Sequence, residues 1–196
     1  MTELPPRKRV QDAKLMRALA HPLRAALLDY LTAIGPRTAS ECAEAVDSSA
    51  SNCSWHLRQL AQFGLVERVD GDDRRERPWR ATQVGLDLGD LDPDPAVRGA
   101  QIAVAGATLH QEQVLTQRYL DSIDDLDPEW RTVAGLNSYA LTVTPAELQH
   151  LVATVDALLR PFVSPIRTDA PDGAKPVHVG FRAFPRIEAD GKVSER

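Results

Sequence analysis

One stretch in the first third of the chain changes character midway and constrains the fold more than any other. Residues 51–69, SNCSWHLRQLAQFGLVERV, open with small polar residues, continue with leucines at helical spacing, and stop at Gly64. Glycine commonly ends a helix, and the β-branched residues beyond it favour a strand. The stretch therefore predicts a helix over about 49–62 that leads directly into a strand over 65–69.

Three shorter helices are predicted before this one. Apolar residues recur at helical spacing over 10–20, and Pro22 suits the first turn of a second helix over 22–33. Gly35-Pro36 ends that helix, and Thr38 or Ser40 can cap a third through about Val46. After the strand, Asp70-Gly71 is a good hairpin signal, so residues 75–82 are predicted as the return strand. Pro78 places that strand at an edge.

The helix over 49–62 has two unlike sides. The side expected to pack on the earlier helices carries Ala50, Cys53, Leu57, Leu60 and Ala61. The other side carries Ser51, Asn52, Trp55, Arg58, Gln59 and Gln62. This second side is too varied in chemistry for a surface that only has to be soluble, so we expect it to be a binding surface for another molecule.

The order of the elements is that of a winged helix-turn-helix, two short helices joined by a tight turn and followed by a hairpin. The runs LMRALAHPLRAALLDYL, TASECAEAV, SNCSWHLRQLAQFGLVERV and DRRERPWRAT resemble the ArsR-type (arsenic-repressor-like) bacterial regulators, over about residues 10–85. The resemblance implies that residues 1–90 form a DNA-binding domain with its recognition helix over 49–62. The metal-sensing members carry a pair of thiols one residue apart on the third helix, whereas this chain has only Cys42 there. The resemblance is therefore to the branch that does not sense metals.

A recognition helix lies in the major groove with its amino-terminal residues at the base edges. Asn52 is suited to pair with adenine, and Arg58 lies farther along, where a phosphate is the expected partner. Trp55 is expected either against bases and sugars or against the wing, and His56 either at the DNA or hydrogen-bonded within the fold. The predicted DNA-contacting residues are Ser49, Ser51, Asn52, Ser54, Trp55, His56, Arg58, Arg74, Arg75 and Arg77.

Charge is unevenly distributed along the chain. The whole chain has a net charge of −5, but residues 1–81 carry +2 and residues 82–196 carry −7. Arginines at a hairpin tip can bind phosphates or a narrow minor groove, which favours a DNA-binding wing. The alternative is a solvated charged hairpin, because Asp72, Asp73 and Glu76 lie among the arginines. Residues 7–9, RKR, are either an arm that adds backbone contacts or a disordered start.

The second half, residues 91–196, is predicted to dimerise the protein. Residues 96–123 form one long predicted helix, whose middle, IAVAGATL, is apolar on nearly every side. Such a helix is expected to pair two subunits or to be buried in its own. Strands are predicted over 137–144 and 176–184, with a helix from the capping signal at Thr144 to about Arg160. The fold class is therefore α+β, with a small α/β carboxyl-terminal region in which Trp130, Tyr139 and Phe181 are expected to line an effector pocket.

Several other classes of protein are disfavoured. No apolar run approaches the ~18–20 residues of a membrane span, and the polar amino terminus lacks the apolar centre of a secretory signal. Cys42 and Cys53 provide no disulfide framework and are expected in the core, which indicates a reducing cytoplasm. There is no phosphate-binding glycine loop, nucleophile elbow or convergent ligand set, so neither an enzyme nor a metal or other cofactor is expected.

The sequence is thus interpreted as a homodimeric transcription regulator, a repressor, that binds double-stranded DNA at a near-palindromic operator and responds to a small-molecule effector. Two alternatives remain at this point. One is a protein-interaction module whose winged helix has lost DNA binding, and the other is a small-molecule-binding protein without an operator.

Overall fold

The computed structural model describes residues 4–69 and 77–194. In chain order the helices are α1 (Ala13–Leu19), α2 (Pro22–Ile34), α3 (Ala39–Ala45), α4 (Ala50–Gln62), α5 (Pro95–Asp121), α6 (Pro128–Val133) and α7 (Pro145–Leu159). The strands are β1 (Lys8–Arg9), β2 (Val66–Arg68), β3 (Trp79–Ala81) and β4 (Leu86–Asp87), and 3₁₀ turns follow α5 and α7 at Ile123–Asp125 and Arg160–Phe162. The α+β class and the long helix after a winged helix-turn-helix are confirmed.

Local capping chemistry explains why several helices begin where they do. The Thr38 hydroxyl accepts a hydrogen bond from the Glu41 amide, while the Glu41 carboxylate accepts from the Thr38 amide. Thr144 and Glu147 repeat this capping box at the start of α7. Each box satisfies two backbone amides that a helix leaves unpaired at its first turn. Of the two residues that the sequence offered for α3, Thr38 is the cap.

The core lies among α1 to α4, the wing and the first half of α5. Its largest fully buried side chains are Val10, Met16, Leu27, Leu31, Cys42, Cys53, Leu57, Leu60, Leu65 and Val66. The predicted inner side of α4 is largely correct, with Cys53, Leu57 and Leu60 fully buried. Ala50 was wrongly placed there: it is exposed because it occupies the first turn of α4, at the edge of the body.

The wing is an antiparallel pair of β2 and β3 in which Val66 pairs with Ala81 and Arg68 with Trp79. A backbone bridge between Arg37 and Trp79 also ties the α2–α3 connection to β3. Trp79 is 4% exposed, and the Arg68 guanidinium lies 4.1 Å from its ring centroid. The predicted hairpin is therefore confirmed at its base, whereas the predicted turn at Asp70-Gly71 lies outside the described residues.

Residues 8–10 form an ordered part of the body. Strand β1 pairs in parallel with β4, so that Lys8 lies opposite Leu86 and Arg9 opposite Asp87. An ion pair of 2.6 Å joins Arg9 Nη1 to Asp87 Oδ2, and Val10 is buried in the core. The expected flexibility of an arm and the expected disordered start are both wrong for residues 7–9, because this pairing holds the segment on its own chain, while backbone contacts of these residues with DNA stay a prediction.

Helix α5 divides its surface between two environments. Ala100, Val104 and Ala107 are buried where α5 packs on α1 and α2. The opposite face stays uncovered, with Ile102 58% and Leu109 45% exposed. Burial within its own subunit, one of the two expectations, therefore holds for one stripe of the helix only.

Beyond α5, α6 and α7 form, but the strands predicted over 137–144 and 176–184 do not. Both segments run without helix or strand. The alternating pattern was a true feature of these sequences, but a strand also needs a neighbour with which to exchange backbone hydrogen bonds. Among residues 4–69 and 77–194 of one chain, these segments have no such neighbour. No residue between Thr108 and Ser194 is buried.

Candidate nucleic-acid interface

An exposed polar edge runs the length of α4. Ser51, Trp55, Arg58 and Gln62 recur at intervals of three or four residues, which places them on one face of a helix, and Asn52 flanks them at its start. All five are exposed, while His56 and Leu57 on the opposite face are buried. We call Ser51, Asn52, Trp55, Arg58 and Gln62 the α4 edge. It faces away from the body, as a surface that enters a groove must.

Serines organise the first turn of the α4 edge. Ser49 is the N-cap, and its hydroxyl accepts a hydrogen bond of 3.2 Å from the Asn52 amide. The Asn52 side-chain amide donates to Ser48 Oγ at 3.1 Å, and the hydroxyls of Ser49 and Ser51 lie 3.1 Å apart. Asn52 is thus held in place before any ligand arrives, next to a helix end that carries partial positive charge.

Farther along α4, Arg58 Nη1 donates to Ser54 Oγ at 3.2 Å. That bond directs the guanidinium back along the helix surface. The Trp55 ring is 49% exposed and meets His56 edge to face, with ring centroids 4.7 Å apart. Of the two expectations for Trp55, the structure favours an available ring over one packed on the wing.

His56 lies in a different environment from its neighbours on the α4 edge. It is 5% exposed, its ring centroid lies 4.5 Å from that of His21 at the start of α2, and its Nδ1 has no hydrogen-bond partner. Burial lowers the pKa of His56, and the nearby His21 and Arg24 lower it further. A buried, neutral imidazole cannot reach a base edge, so His56 supports the α2–α4 contact and not the α4 edge.

The wing arginines are only partly described. Arg77 is exposed at the approach to β3, and its carbonyl oxygen accepts a hydrogen bond from the Arg68 guanidinium. Arg74 and Arg75 lie outside the described residues. Within the hairpin, Arg80 forms a 2.6 Å ion pair with Glu67, so this arginine is partly neutralised.

Cys42 and Cys53 are both fully buried, as the sequence indicated. Burial raises the pKa of the Cys42 thiol to about 12, and the neighbouring Cys53 contributes to the rise. Burial also raises the pKa of Cys53. Both are therefore protonated packing residues at neutral pH, since thiol reactivity requires the thiolate.

None of the three residues predicted for an effector pocket is buried. Tyr139 is 79% and Phe181 45% exposed, and Trp130 has the Lys175 ammonium 5.6 Å from its ring centroid. The predicted pocket required the carboxyl-terminal sheet, which does not form. A hollow of about 380 Å³ lies instead beside the second half of α5, lined by Leu109, Glu112, Gln113, Thr116, Gln117 and Arg182.

Residues 4–69 and 77–194 also show whether the protein could hold a metal ion or cross a membrane. Over these ranges, no group of three or more histidine, cysteine or acidic side chains is arranged to hold a metal ion. Over the same ranges, no helix has both the length and the apolar character needed to cross a bilayer.

Comparison with known proteins places a helix-turn-helix in this part of the chain. Residues 19–69 match a helix-turn-helix domain family, and they contain α2, α3, α4 and β2. No curated protein matches the chain. The match covers the α4 edge and ends at the base of the wing.

The chain is also similar to solved structures of bacterial proteins. YusO from Bacillus subtilis is 17% identical with a TM-score of 0.34, covering 74% of this chain and 79% of that one. A MarR family transcriptional regulator from Silicibacter pomeroyi is 21% identical with a TM-score of 0.33, covering 79% of each chain. MarR from E. coli, in its apo form, is 15% identical with a TM-score of 0.31, covering 74% of this chain and 89% of that one. Likenesses of this size do not assign a family or a ligand to the chain.

Two contacts that support the interface carried no recognisable sequence signal. Lys8 Nζ donates to the carbonyl oxygens of Phe63 at 3.1 Å and Gly64 at 3.0 Å, at the end of α4. Arg118 of α5 donates to the carbonyl oxygen of Ala45 at 2.8 Å, at the end of α3. Both place a cation at the carboxyl end of a helix, where the partial charge is negative. Long-range contacts of single lysines and arginines leave no local pattern that would predict them.

Proposed function

We propose that this protein is a sequence-specific DNA-binding transcription regulator, a repressor, that binds a near-palindromic operator as a homodimer. The observation that carries the proposal is the α4 edge, a row of exposed polar side chains on a helix whose other face is fixed in the core. The helix-turn-helix match over residues 19–69 supports it. The resemblance to ArsR-type regulators is part of the proposal.

In the proposed complex each α4 enters a major groove with Ser51 and Asn52 at the base edges and Arg58 near a phosphate. The amide of asparagine is suited to the two hydrogen-bonding groups of adenine. Ser49 and Ser54 act by holding Asn52 and Arg58, and Trp55 lies against sugar or a thymine methyl. Arg74, Arg75 and Arg77 contribute charge from the wing. The two α4 helices lie ~34 Å apart in the dimer, one turn of DNA.

The proposed effector acts by mass action. A small molecule that binds better to a dimer with another spacing of the two α4 helices would release the operator. Thermal shift against a panel of metabolites tests this part. A compound that stabilises the protein should weaken operator binding by a certain factor. Operator DNA should weaken binding of the compound by the same factor, because the coupling between the two sites is reciprocal.

Fluorescence anisotropy on DNA from upstream of the protein's own gene tests the central claim, with Asn52→Ala and Arg75→Ala beside the unaltered chain. Asn52→Ala should lose about 1–3 kcal/mol of discrimination at one base position. Arg75→Ala should weaken binding to all sequences alike and reduce the slope of log affinity against log salt by about 1.

Gln11→Ala and Arg17→Ala are the matched controls, since each removes an amide or guanidinium side chain at an exposed position outside α4, the wing and the carboxyl-terminal half. Both should leave discrimination and salt slope unchanged. If Asn52→Ala and its control behave alike on every sequence, the α4 edge does not read DNA. Binding of a protein partner by α4, with no DNA bound at low salt, would support the protein-interaction alternative instead.

A further inference from the structure

The second half of this chain is too exposed to be a finished structure on its own. No residue between Thr108 and Ser194 is buried, although the region is rich in large apolar side chains. Leu158 is 66%, Phe162 64% and Phe184 74% exposed. Large apolar side chains exposed in this number mark a surface that another molecule covers.

The total surface area shows how large the covering molecule has to be. The chain exposes 14052 Å², whereas a compact protein of 21.5 kDa exposes about 9,200 Å². The excess of about 4,900 Å² on one chain is as large as the total area that a large obligate dimer buries from both partners, about 2,000–5,000 Å². Side-by-side contact of two flat faces would leave much of this excess uncovered.

The exposed region is folded locally and is not a solvated tail. Helix α7 starts with a complete capping box and runs for 15 residues. Its apolar positions follow helical spacing and form one stripe: Leu148, Leu151, Val152, Val155, Leu158 and Leu159. Half of these side chains are partly covered and the other half are exposed, so the apolar stripe is incompletely covered in its own chain.

Polar contacts hold this region against its own body. An ion pair joins Asp156 of α7 to Arg7, and the Arg160 guanidinium donates to the carbonyl oxygen of Pro5. Farther on, Arg182 forms a 3.1 Å ion pair with Glu112 of α5. Pairs that solvent still reaches contribute little free energy, so the region can give them up when it packs elsewhere.

The same chain presents a second uncovered apolar surface, the outer face of α5. Ile102, Gly106 and Leu109 recur at four and three residues, which puts them on one face of the helix, and all are exposed. A two-fold dimer covers both surfaces at once, since the apolar stripe of α7 on each copy meets the outer face of α5 on the other. A single unlike partner would have to match two different surfaces.

We propose that two copies of this chain exchange their carboxyl-terminal regions, residues 127–194. In the exchanged dimer, the apolar stripe of α7 of each protomer packs on the outer face of the other protomer's α5. The inference rests on the homodimer of the proposed function and specifies how that dimer is built. Each protomer then contributes an α4 edge, and the exchanged regions fix the distance between the two edges.

The first experiment measures mass in solution by light scattering after gel filtration. The unaltered chain should have twice its 21.5 kDa mass. Leu158→Glu puts a charge on the apolar stripe and should raise the dissociation constant of the dimer by ~100-fold or more. Gln149→Glu, at an exposed position of the same helix, adds the same charge and should leave the mass unchanged. Circular dichroism confirms that each variant is folded.

The second experiment separates exchange from simple contact and uses the intact dimer. A photoreactive benzophenone replaces Leu158 in ¹⁴N chains, which are refolded together with ¹⁵N chains, and mass spectrometry then assigns each cross-link. Exchange predicts that the benzophenone of a ¹⁴N chain forms cross-links to α5 peptides of a ¹⁵N chain. Cross-links confined to α5 of the same chain, in a protein of dimeric mass, would overturn the exchange, and a monomeric mass would overturn it as well.

DNA binding is not a readout in either experiment, so the two proposals can fail separately. An exchanged dimer that binds no DNA contradicts the regulator and leaves the exchange standing. Specific DNA binding by a protein whose cross-links stay within one chain contradicts the exchange and leaves the α4 edge standing.

Discussion

Lys8→Met should destabilise the folded protein by about 1–2 kcal/mol. The Lys8 ammonium donates to two carbonyl oxygens at the carboxyl end of α4, at 3.1 and 3.0 Å. Hydrogen bonds to charged groups contribute about 1.5–3 kcal/mol when shielded, and a cation at a helix carboxyl end contributes about 0.3–1 kcal/mol. The estimate lies at the low end because Lys8 is half-exposed and both carbonyls can bond to water once the ammonium is gone.

The measurement is denaturant unfolding followed by far-UV circular dichroism at fixed protein concentration. A loss of 1–2 kcal/mol should lower the midpoint and leave the slope of free energy against denaturant unchanged, because the surface exposed on unfolding is the same. In a thermal scan of a chain this long, the same loss corresponds to a fall of about 2–8 °C in Tm.

Lys14→Met is the matched control, because Lys14 is exposed and its ammonium has no partner in the described part of the chain. It should change stability by less than about 0.5 kcal/mol. Lys8→Arg keeps the charge and the donors and should recover most of the loss. If Lys8→Met and Lys14→Met have equal midpoints, the contact between the first strand and α4 contributes nothing, and the reasoning from helix-end charge is refuted here.

Three further predictions concern the capping, packing and cysteines of the amino-terminal half. Thr38→Ala should cost about 1 kcal/mol while Thr38→Ser costs less, and since hydrogen bonding to the backbone and side chain of Thr38 lowers the pKa of Glu41, the carboxylate's contribution is present above its unfolded pKa and lost as pH falls through the folded value. The difference between Thr38→Ala and the unaltered chain should therefore narrow from neutral to acidic pH, because Thr38→Ala lacks the hydroxyl that donates to the Glu41 carboxylate; a difference that stays the same at every pH would contradict the capping box. Leu57→Ala should cost about 2–5 kcal/mol in denaturant unfolding, because Leu57 is fully buried, and a cost below that of Thr38→Ala would show that α4 is loosely packed. A thiol reagent at mildly alkaline pH should find no reactive cysteine until denaturant is added and two afterwards, since burial raises the pKa of Cys42 to about 12 and also raises that of Cys53; rapid native labelling would contradict their burial.

The reliable sequence signals were those with a local physical cause. Helix-ending Gly64 and the apolar spacing of α4 gave the recognition helix to within a residue at its start. The capping signal at Thr144 correctly predicted the start of α7. Helix α5 begins at Pro95, directly after its N-cap Asp94 and one residue before the predicted start. In each case, residues within one or two turns of the helix determine the outcome, so the sequence alone is sufficient.

The predictions failed where the outcome depends on distant residues. A parallel pair of two residues each, β1 with β4, has no periodicity to detect, and its position depends on where β4 lies after the wing. His56 has a polar side chain, yet it is buried because α2 begins beside it with His21. The alternating segments over 137–144 and 176–184 resemble strands, but alternation describes only one strand, and the described part of the same chain offers no partner strand.

The way in which α5 starts inside the body and ends outside it sets the smallest unit that can be transplanted. Ala100 and Val104 belong to the core cluster of the amino-terminal half, and Ala107 is the last buried residue before Ser194, where the described part of the chain ends. A chimera joined at residue 90 would remove these side chains and leave the apolar faces of α1 and α2 open to water. A portable helix-turn-helix unit would therefore have to keep the helix to about residue 107, and any fusion partner would also carry the outer face of that helix.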